Sequence, residues 1–222
     1  MDKDYSSERL EYQSGQRNEK ERRGAKEPDR VGVGADRRGG VRHSRHVLLG
    51  NLREVLSMRI LGIDPGYATT GFGILQAERA SVQLINYGTI TTPTTLSFPE
   101  RLEMLYDDMA ELLDTVRPDA VAVEELFWGH NVTTGIGVSH GRGVILLAIC
   151  KAHTPLFEYT PNQVKQAVVG YGSADKHQVM EMTRRILHME KVAQPDDAAD
   201  AIAIALCHAR SSTSLLAQKG IR

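Results

Sequence analysis

The order of the apolar runs after Met58 constrains the fold of this chain more than any other feature. Three short runs of strand length come first, and two further runs then alternate with stretches of helical period. The runs predict strands over residues 59–63, 71–75, 82–90, 120–124 and 156–159. Three consecutive strands followed by alternating helices and strands indicate an α/β fold, with a mixed central sheet of about five strands flanked by helices.

Local signals locate the helices of this fold. Thr160 followed by Pro161 has the chemistry of a helix N-cap and first turn. A glycine-rich segment, Gly129–Gly143, leads into an apolar run that is long enough, with its flanks, for a helix with a mobile N-terminal half. The predicted helices cover residues 102–116, 144–150 with their flanks, 161–168, a segment after Gly172, and a last stretch that opens at Pro195.

Residues 1–57 differ in charge and pattern from the rest of the chain. They hold 13 Lys and Arg against 10 Asp and Glu, whereas residues 58–222 hold 14 against 18. Because the first segment is charged and has no sustained period, we predict a disordered extension over 1–57, with Met58 as a candidate translation start. A domain over 58–210 and a flexible tail over 211–222 complete the predicted organisation. Since the body is acidic, nucleic-acid binding would depend on locally placed basic residues.

The sequence also bears on compartment. It contains no run of about 18 apolar residues and its first 30 residues are charged, so neither a membrane span nor a secretory signal peptide is predicted. We therefore expect a cytoplasmic protein with no membrane partner. Cys150 and Cys207 lie in apolar runs without metal-ligand spacing and are predicted to be reduced core residues.

Four carboxylates stand where hydrolytic chemistry would need them. Asp64 ends the first predicted strand and Glu124 ends the fourth, while Asp197 and Asp200 are three positions apart on one helical face. If the two strands are neighbours and the last helix packs over their ends, these side chains converge in a cleft. Such oxygen ligands select Mg²⁺ or Mn²⁺, and two ions about 3.5–4 Å apart would activate water for phosphodiester hydrolysis.

Each of these carboxylates also has a purely structural interpretation. Asp64 precedes Pro65 and Gly66 and is compatible with an ordinary turn residue. Asp197 and Asp200 fit the acidic first turn of a helix. Glu124 is harder to explain in this way, because it follows four apolar strand residues directly. The order of the set, rather than any one residue, indicates a nuclease.

These residues belong to motifs that resemble the RuvC family of Holliday-junction resolvases, within the RNase H-like superfamily. The resemblance runs from Arg59 to about His208. The motifs that carry it are Leu61-Gly62-Ile63-Asp64-Pro65-Gly66, Val123-Glu124, Arg142-Gly143-Val144, Val164-Lys165-Gln166, Val168-Val169-Gly170, Gly172-Ser173-Ala174-Asp175-Lys176 and Asp197-Ala198-Ala199-Asp200-Ala201.

The resemblance implies an RNase H-like fold and a homodimeric, Mg²⁺-dependent endonuclease. Such an enzyme cuts paired strands of a four-way DNA junction symmetrically during recombination and repair, with RuvA and RuvB as partners. It implies catalytic and metal-binding roles for Asp64, Glu124, Asp197 and Asp200, with Mn²⁺ as a substitute for Mg²⁺ and two ions in each active site.

Basic and aromatic residues near these motifs are candidate DNA contacts. Lys165 and Lys176 could reach phosphates that flank the acidic cleft, although most lysines are simply solvated surface residues. Phe127 and Trp128 follow Glu124 on a predicted loop, where an aromatic ring could stack on a splayed base or instead anchor the core. The resemblance favours Phe127 over Trp128.

The resemblance also implies a DNA contact from Arg142. The chain departs from the family pattern in the segment before this arginine. Many members have a basic residue after the aromatic and a Gly-Gln-Ala-Arg-Gly-like run, whereas this chain has His130 and Ser139-His140-Gly141. Because histidine is only partly charged near neutral pH, phosphate contacts there are expected to be weaker or pH dependent.

Two other functional classes remain open at the level of sequence. An actin-like ATPase or kinase also opens with a strand, an acidic residue and a glycine, but the residues after Ser57 show no clear second phosphate loop. A catalytically silent junction-binding protein would be expected to lack the four carboxylates. Symmetric cleavage requires two active sites, and the amphipathic segment Val144–Cys150 is a candidate dimer interface.

Overall fold

The computed structural model describes residues 10–14, 57–78, 81–126 and 132–218, which all belong to one compact unit. Its strands are β1 (Leu10–Ser14), β2 (Ser57–Asp64), β3 (Thr69–Glu78), β4 (Ser81–Thr91), β5 (Ala120–Glu124) and β6 (Leu156–Tyr159). Its helices are α1 (Phe98–Val116), α2 (Val132–Lys151), α3 (Pro161–Val169), α4 (Lys176–Ile186) and α5 (Asp196–Gln218). The five strands and the helices predicted after Met58 are therefore confirmed. None of the described helices is long and apolar enough to cross a membrane.

The strands form one mixed sheet in the order β1-β4-β3-β2-β5-β6. The pairs β1·β4, β4·β3 and β3·β2 are antiparallel, whereas β2·β5 and β5·β6 are parallel. The antiparallel half follows from the short connections between β2, β3 and β4. The parallel half needs crossovers, which α1 and α2 supply.

Helices cover both faces of the sheet and create two hydrophobic cores. On one face, α1 and α2 bury residues such as Leu105, Met109 and Ile145 against Ile63 and Val123. On the opposite face, α3, α4 and α5 pack against the other side of the same strands. The central strands are buried on both sides, which explains why they are continuously apolar in sequence.

Helix α5 lies unusually close to the sheet because three glycines of β2 and β3 face it. A Cβ atom added to Gly62 would lie 2.1 Å from the carbonyl oxygen of Ala201, and one added to Gly71 would lie 1.9 Å from that of Asp197. At Gly73 an added Cβ would lie 2.8 Å from Cα of Ile202. Any larger side chain at these positions would push α5 away from the strands.

The N-terminus of α3 confirms the predicted cap. Thr160 Oγ1 accepts a hydrogen bond from the backbone amide of Gln163 at 3.2 Å, and the Gln163 side chain accepts one from the Thr160 amide at 2.8 Å. This reciprocal pair is a capping box. It fixes the point at which the chain leaves β6 and begins the helix that carries Lys165.

The glycine-rich segment before Val144 differs from the prediction, because its residues from 132 onward belong to α2. Gly137 and Gly141 lie four positions apart and both face Tyr67, where added Cβ atoms would lie 2.8 Å from Cε1 and 2.9 Å from Cβ. These glycines therefore form a close contact surface on a helix rather than a flexible loop. Cys150, predicted to be a core residue, is exposed at the end of α2, whereas Cys207 is buried as predicted.

The domain limits also differ from the predicted ones. Within the segment predicted to be disordered, Leu10–Ser14 pairs with β4 as an edge strand, and β2 begins at Ser57. Helix α5 continues to residue 218, past the predicted limit at 210, since neither glycine nor proline occurs between 211 and 218. The rest of the predicted extension and the last four residues lie outside the described ranges.

The glycine contacts lead to a stability prediction. We expect Gly62→Ala to lower the free energy of unfolding by about 2–3 kcal/mol, because the new methyl group overlaps the α5 backbone. The matched control is Gly143→Ala on α2, where an added Cβ meets nothing within 4 Å. It should raise stability by about 0.5–1 kcal/mol through helix propensity. Urea unfolding of both variants checks this, and equal effects would contradict it.

Candidate active site

Asp64 and Glu124 lie at the ends of adjacent parallel strands and project from the same face of the sheet. Ile63 is the register partner of Val123, so the two acidic residues follow at the same level. Side chains alternate along each strand. Ile60 on β2 and Ala122 on β5 both belong to the core beneath α5. Asp64 and Glu124 follow them by an even number of residues, so their side chains lie on the same face of the sheet, toward α5.

Asp197 and Asp200 reach the same place from α5. The helix begins at Asp196, and the backbone carbonyl of Asp197 lies against Gly71 of β3, the register partner of Asp64. Asp197 and Asp200 are partly buried, whereas Asp196 is exposed. The structure thus brings the four predicted carboxylates together at the C-terminal ends of the central strands β2 and β5.

The charges of this cluster are incompletely compensated. Burial, followed by the charges of Glu124, Asp200 and Asp197, raises the pKa of Asp64 from its ordinary value of 3.8 to about 8. Burial and the charge of Asp200 raise the pKa of Glu124 to about 6, although Lys176 and Lys165 act in the opposite direction. Burial likewise raises the pKa of Asp200, against the effect of Lys176. A cation in this cluster would therefore be bound favourably.

Lys176 lies within the acidic cluster. Its Nζ is 2.9 Å from Asp200 and 3.2 Å from Asp196. Burial alone would lower the pKa of Lys176, but the hydrogen bonds and charges of the two aspartates outweigh that effect and raise it. Sequence reasoning did not identify Asp196 as a partner, because it is exposed and resembles an ordinary first-turn residue.

The carboxylate oxygens fit a hard divalent cation in kind and in charge, because burial and the neighbouring carboxylates both disfavour the ionised forms of Asp64 and Glu124, and a cation would favour them. As the side chains stand, no group of three His, Cys, Asp or Glu residues within the described part of the chain is arranged to hold a metal ion.

The other predicted DNA contacts have different surroundings. Lys165 lies on α3, and its charge opposes part of the rise in the pKa of Glu124. Arg142 on α2 donates from Nε to the backbone carbonyl of Glu124 at 3.1 Å and forms an ion pair with Glu158. Its guanidinium is thus held by protein groups.

Some predictions fall on residues that the structure places elsewhere or does not describe. Phe127, Trp128 and His130 lie outside the described residues. His140 is exposed on α2, with Nδ1 2.7 Å from the carbonyl oxygen of Ile136 and its ring nearly perpendicular to that of Phe98, 5.6 Å away between centres. The predicted DNA contacts of Phe127, His130 and His140 remain predictions.

A network beside Asp64 was missed from sequence. Thr92 Oγ1 donates to the carbonyl oxygen of Tyr67 at 2.6 Å and accepts from Nε of Arg101 at 2.9 Å. The Arg101 guanidinium also lies 4.7 Å from the centre of the Tyr67 ring. The sequence did hold one indication that Arg101 is buried: it precedes Leu105 by four positions and so falls on the buried face of α1. This network fixes the turn that follows Asp64.

Comparison with known proteins identifies the family. The family model described as crossover junction endodeoxyribonuclease RuvC matches residues 60–208. The crossover junction endodeoxyribonuclease RuvC of Syntrophomonas wolfei is 53% identical over 154 residues, which are 69% of this chain and 90% of that relative. The RuvC of Chloroflexus aurantiacus is 51% identical over 158 residues, 71% of this chain and 96% of its own.

Solved structures agree with this result. The structure of T. thermophilus RuvC in complex with Holliday junction substrate has a TM-score of 0.65 and 34% identity, covering 71% of this chain and 96% of that one. The yeast mitochondrial Holliday junction resolvase Ydc2, with a TM-score of 0.54 and 16% identity, covers 78% of this chain and 90% of its own and shares the fold. The predicted RNase H-like α/β fold is thereby confirmed. The chain belongs to the RuvC family of crossover junction endodeoxyribonucleases.

Proposed function

We propose that this chain is a metal-dependent endonuclease that resolves four-way DNA junctions by symmetric hydrolysis of phosphodiester bonds in recombination and repair. The observation that carries the proposal is the convergence of Asp64, Glu124, Asp197 and Asp200 at the ends of β2 and β5, where burial and mutual repulsion raise the pKa values of Asp64 and Glu124. The T. thermophilus relative in complex with Holliday junction substrate supports the substrate class.

The four carboxylates would hold Mg²⁺, or Mn²⁺ in its place, as two ions in each site. Support comes from the donor set, which consists of hard oxygens, and from the raised pKa of Asp64. When bound, such ions lower the pKa of a water molecule and stabilise charge on the leaving oxygen of the phosphodiester. The backbone holds Asp64 and Glu124 on the central strands, so that only their side chains need to adjust.

Lys165 and Lys176 would bind phosphates of the junction beside this cluster. Lys176 is the more constrained of the two, because its ammonium is paired with Asp196 and Asp200. Half of its side chain is exposed, so it can exchange these carboxylates for a phosphate. The acidic body makes such local cations important, since the rest of the surface repels DNA.

A homodimer would supply the second active site that symmetric cleavage requires. Helix α2 offers an interface, because Ile136 and Leu147 lie on one exposed face and expose 51% and 53% of their surface. Exposed Cys150 continues that face toward the end of the helix. RuvA and RuvB remain proposed partners on the basis of the family resemblance alone.

The other two functional classes are less well supported. Membership of the RuvC family argues against an actin-like ATPase or kinase. A catalytically silent junction-binding protein has no support in the site, because all four carboxylates are present and converge. The cleavage experiment below separates the three classes.

We expect the wild type to cut a labelled four-way junction with paired symmetric nicks in Mg²⁺, and to leave a linear duplex of the same sequence intact. EDTA should abolish cleavage. Glu124→Gln should slow it by more than about 100-fold, because it removes a carboxylate from the cluster itself. The matched control is Glu125→Gln, which changes the exposed neighbouring carboxylate and should cleave normally.

Three results would contradict the proposal. Junction binding without cleavage by the wild type would favour a silent binding protein. Cleavage of only one strand by a monomer would refute the symmetric dimer. Turnover of ATP without DNA cleavage would favour the actin-like class.

The raised pKa of Asp64 predicts a pH dependence of stability in metal-free protein. The folded state binds a proton at Asp64 more tightly than the unfolded chain, so its contribution to stability is complete below about pH 4 and is lost as the pH rises to about 8. Asp64→Asn has no carboxylate to ionise and so does not lose this stability. At pH 9 its free energy of unfolding should exceed that of the wild type by at least about 1 kcal/mol. Urea unfolding in EDTA at pH 5 and pH 9 measures the difference, and an equal difference at both pH values would refute the prediction.

Junction binding should depend steeply on salt, with a contribution from Lys165. In Ca²⁺, Lys165→Ala should weaken binding and reduce the slope of log Kd against log salt by about 0.9, the value for one phosphate contact. The control is Lys151→Ala, which removes an exposed lysine at the last position of α2. Identical slopes for the two variants would show that Lys165 is not a phosphate contact.

A further inference from the structure

Arg142 bridges helix α2 to the strand that carries Glu124. Its Nε donates to the backbone carbonyl of Glu124 at 3.1 Å, and its Nη2 pairs with the Glu158 carboxylate. Only 15% of the Arg142 side chain is exposed, compared with 42% of that of Glu158. An arginine that contacts phosphate would present its guanidinium to solvent, whereas this guanidinium is turned onto the sheet.

The Glu124 carbonyl lies where regular strand pairing ends. Glu124 is the last residue of β5 and is the register partner of Tyr159, the last residue of β6. The amide of Glu125 still donates to the Tyr159 carbonyl at 2.9 Å. The bond from Arg142 adds a second constraint to this strand end, and it acts on the peptide group of Glu124 itself. The orientation of the Glu124 side chain depends on that peptide group.

Glu158 holds Arg142 in place. It is the register partner of Val123, so its side chain shares the face on which α2 packs. A forked guanidinium can bond to a carbonyl and a carboxylate together, and each bond orients the other. Because Glu158 compensates the charge of Arg142, little positive charge is left for DNA.

The turn of α2 that carries Arg142 is itself held by packing. The preceding residue, Gly141, lies in close contact with Tyr67, which belongs to the turn after Asp64. Three residues further on, Ile145 is completely buried. One turn of α2 therefore contacts the turn after Asp64 and, through Arg142, the strand end at Glu124.

We propose that Arg142 is a positioning residue for Glu124, held by Glu158, and not a DNA contact. The inference rests on the proposed function for its effect on cleavage. Through the peptide bond at Glu124 it fixes the carboxylate relative to Asp64 and so sets the affinity of the cluster for a divalent cation. Groups that orient metal ligands in this way are typically worth about 10- to 100-fold in metal affinity or activity.

The decisive measurement is Mn²⁺ affinity without DNA, determined by calorimetric titration of the full chain. Removing a positive charge near a cation site should by itself tighten Mn²⁺ binding. We expect Arg142→Ala to weaken it by about 10- to 100-fold instead, because Glu124 loses its orientation. Arg142→Lys should resemble Arg142→Ala, since a lysine retains the charge but cannot bond to both partners. Unchanged or tighter binding in Arg142→Ala would overturn the inference.

Glu158→Ala provides a second variant at a more exposed position. If Glu158 positions Arg142, its loss should slow single-turnover cleavage at saturating protein without weakening junction binding in Ca²⁺. The double variant with Arg142→Ala should be no slower than Arg142→Ala alone. If Arg142 contacted DNA, Glu158→Ala would free its guanidinium, tighten junction binding and leave the saturated rate intact, which would overturn the inference.

Two controls separate this inference from the proposed function. Glu125→Ala removes a neighbouring negative charge with no bond to Arg142 and should leave Mn²⁺ affinity close to that of the wild type. A wild type that binds Mn²⁺ but never cuts a junction would refute the proposed nuclease, while the Mn²⁺ affinity of Arg142→Ala would still decide the role of Arg142. Urea unfolding confirms that the variants are folded at the assay temperature.

Discussion

The contact between α5 and the glycines of β2 and β3 is the constraint on which the cluster of four carboxylates depends. Gly62 and Gly71 leave no room for a Cβ atom, so the helix backbone lies directly on the strands. This contact fixes the first turn of α5 at the strand ends and brings Asp197 and Asp200 to Asp64. With any larger side chain at these positions, the helix would move outward and the carboxylates would separate.

That close packing has an electrostatic cost. Partly buried carboxylates near one another disfavour ionisation, and the pKa of Asp64 rises to about 8 as a result. Lys176 relieves part of the repulsion through its bonds to Asp200 and Asp196. The burial and the repulsion that remain are the physical basis for proposing a divalent cation. Stability and function thus place opposite demands on the same residues.

The layer formed by α1 and α2 supports the same strand ends from the other face. Arg101 holds the turn after Asp64 through Thr92 and Tyr67, and Arg142 bonds to the carbonyl of Glu124. In both cases a buried or nearly buried guanidinium bonds to protein groups near a predicted catalytic carboxylate. Backbone positions on both central strands are therefore defined from two sides, which is what a preorganised site needs.

The sequence by itself predicted the five strands after Met58, most helix starts and the positions of the four carboxylates, because apolar period, caps and strand ends are local properties. It did not predict β1, which lies in the segment expected to be disordered. It did not predict that the glycines before Val144 belong to a helix. Glycine is needed there because the helix packs closely against Tyr67, which is distant in the chain. Nor could the sequence show that Lys176 pairs with Asp196, or that Arg142 faces the sheet rather than solvent. These outcomes depend on which elements become neighbours, and only the tertiary structure decides that because the contacts join residues far apart in the chain.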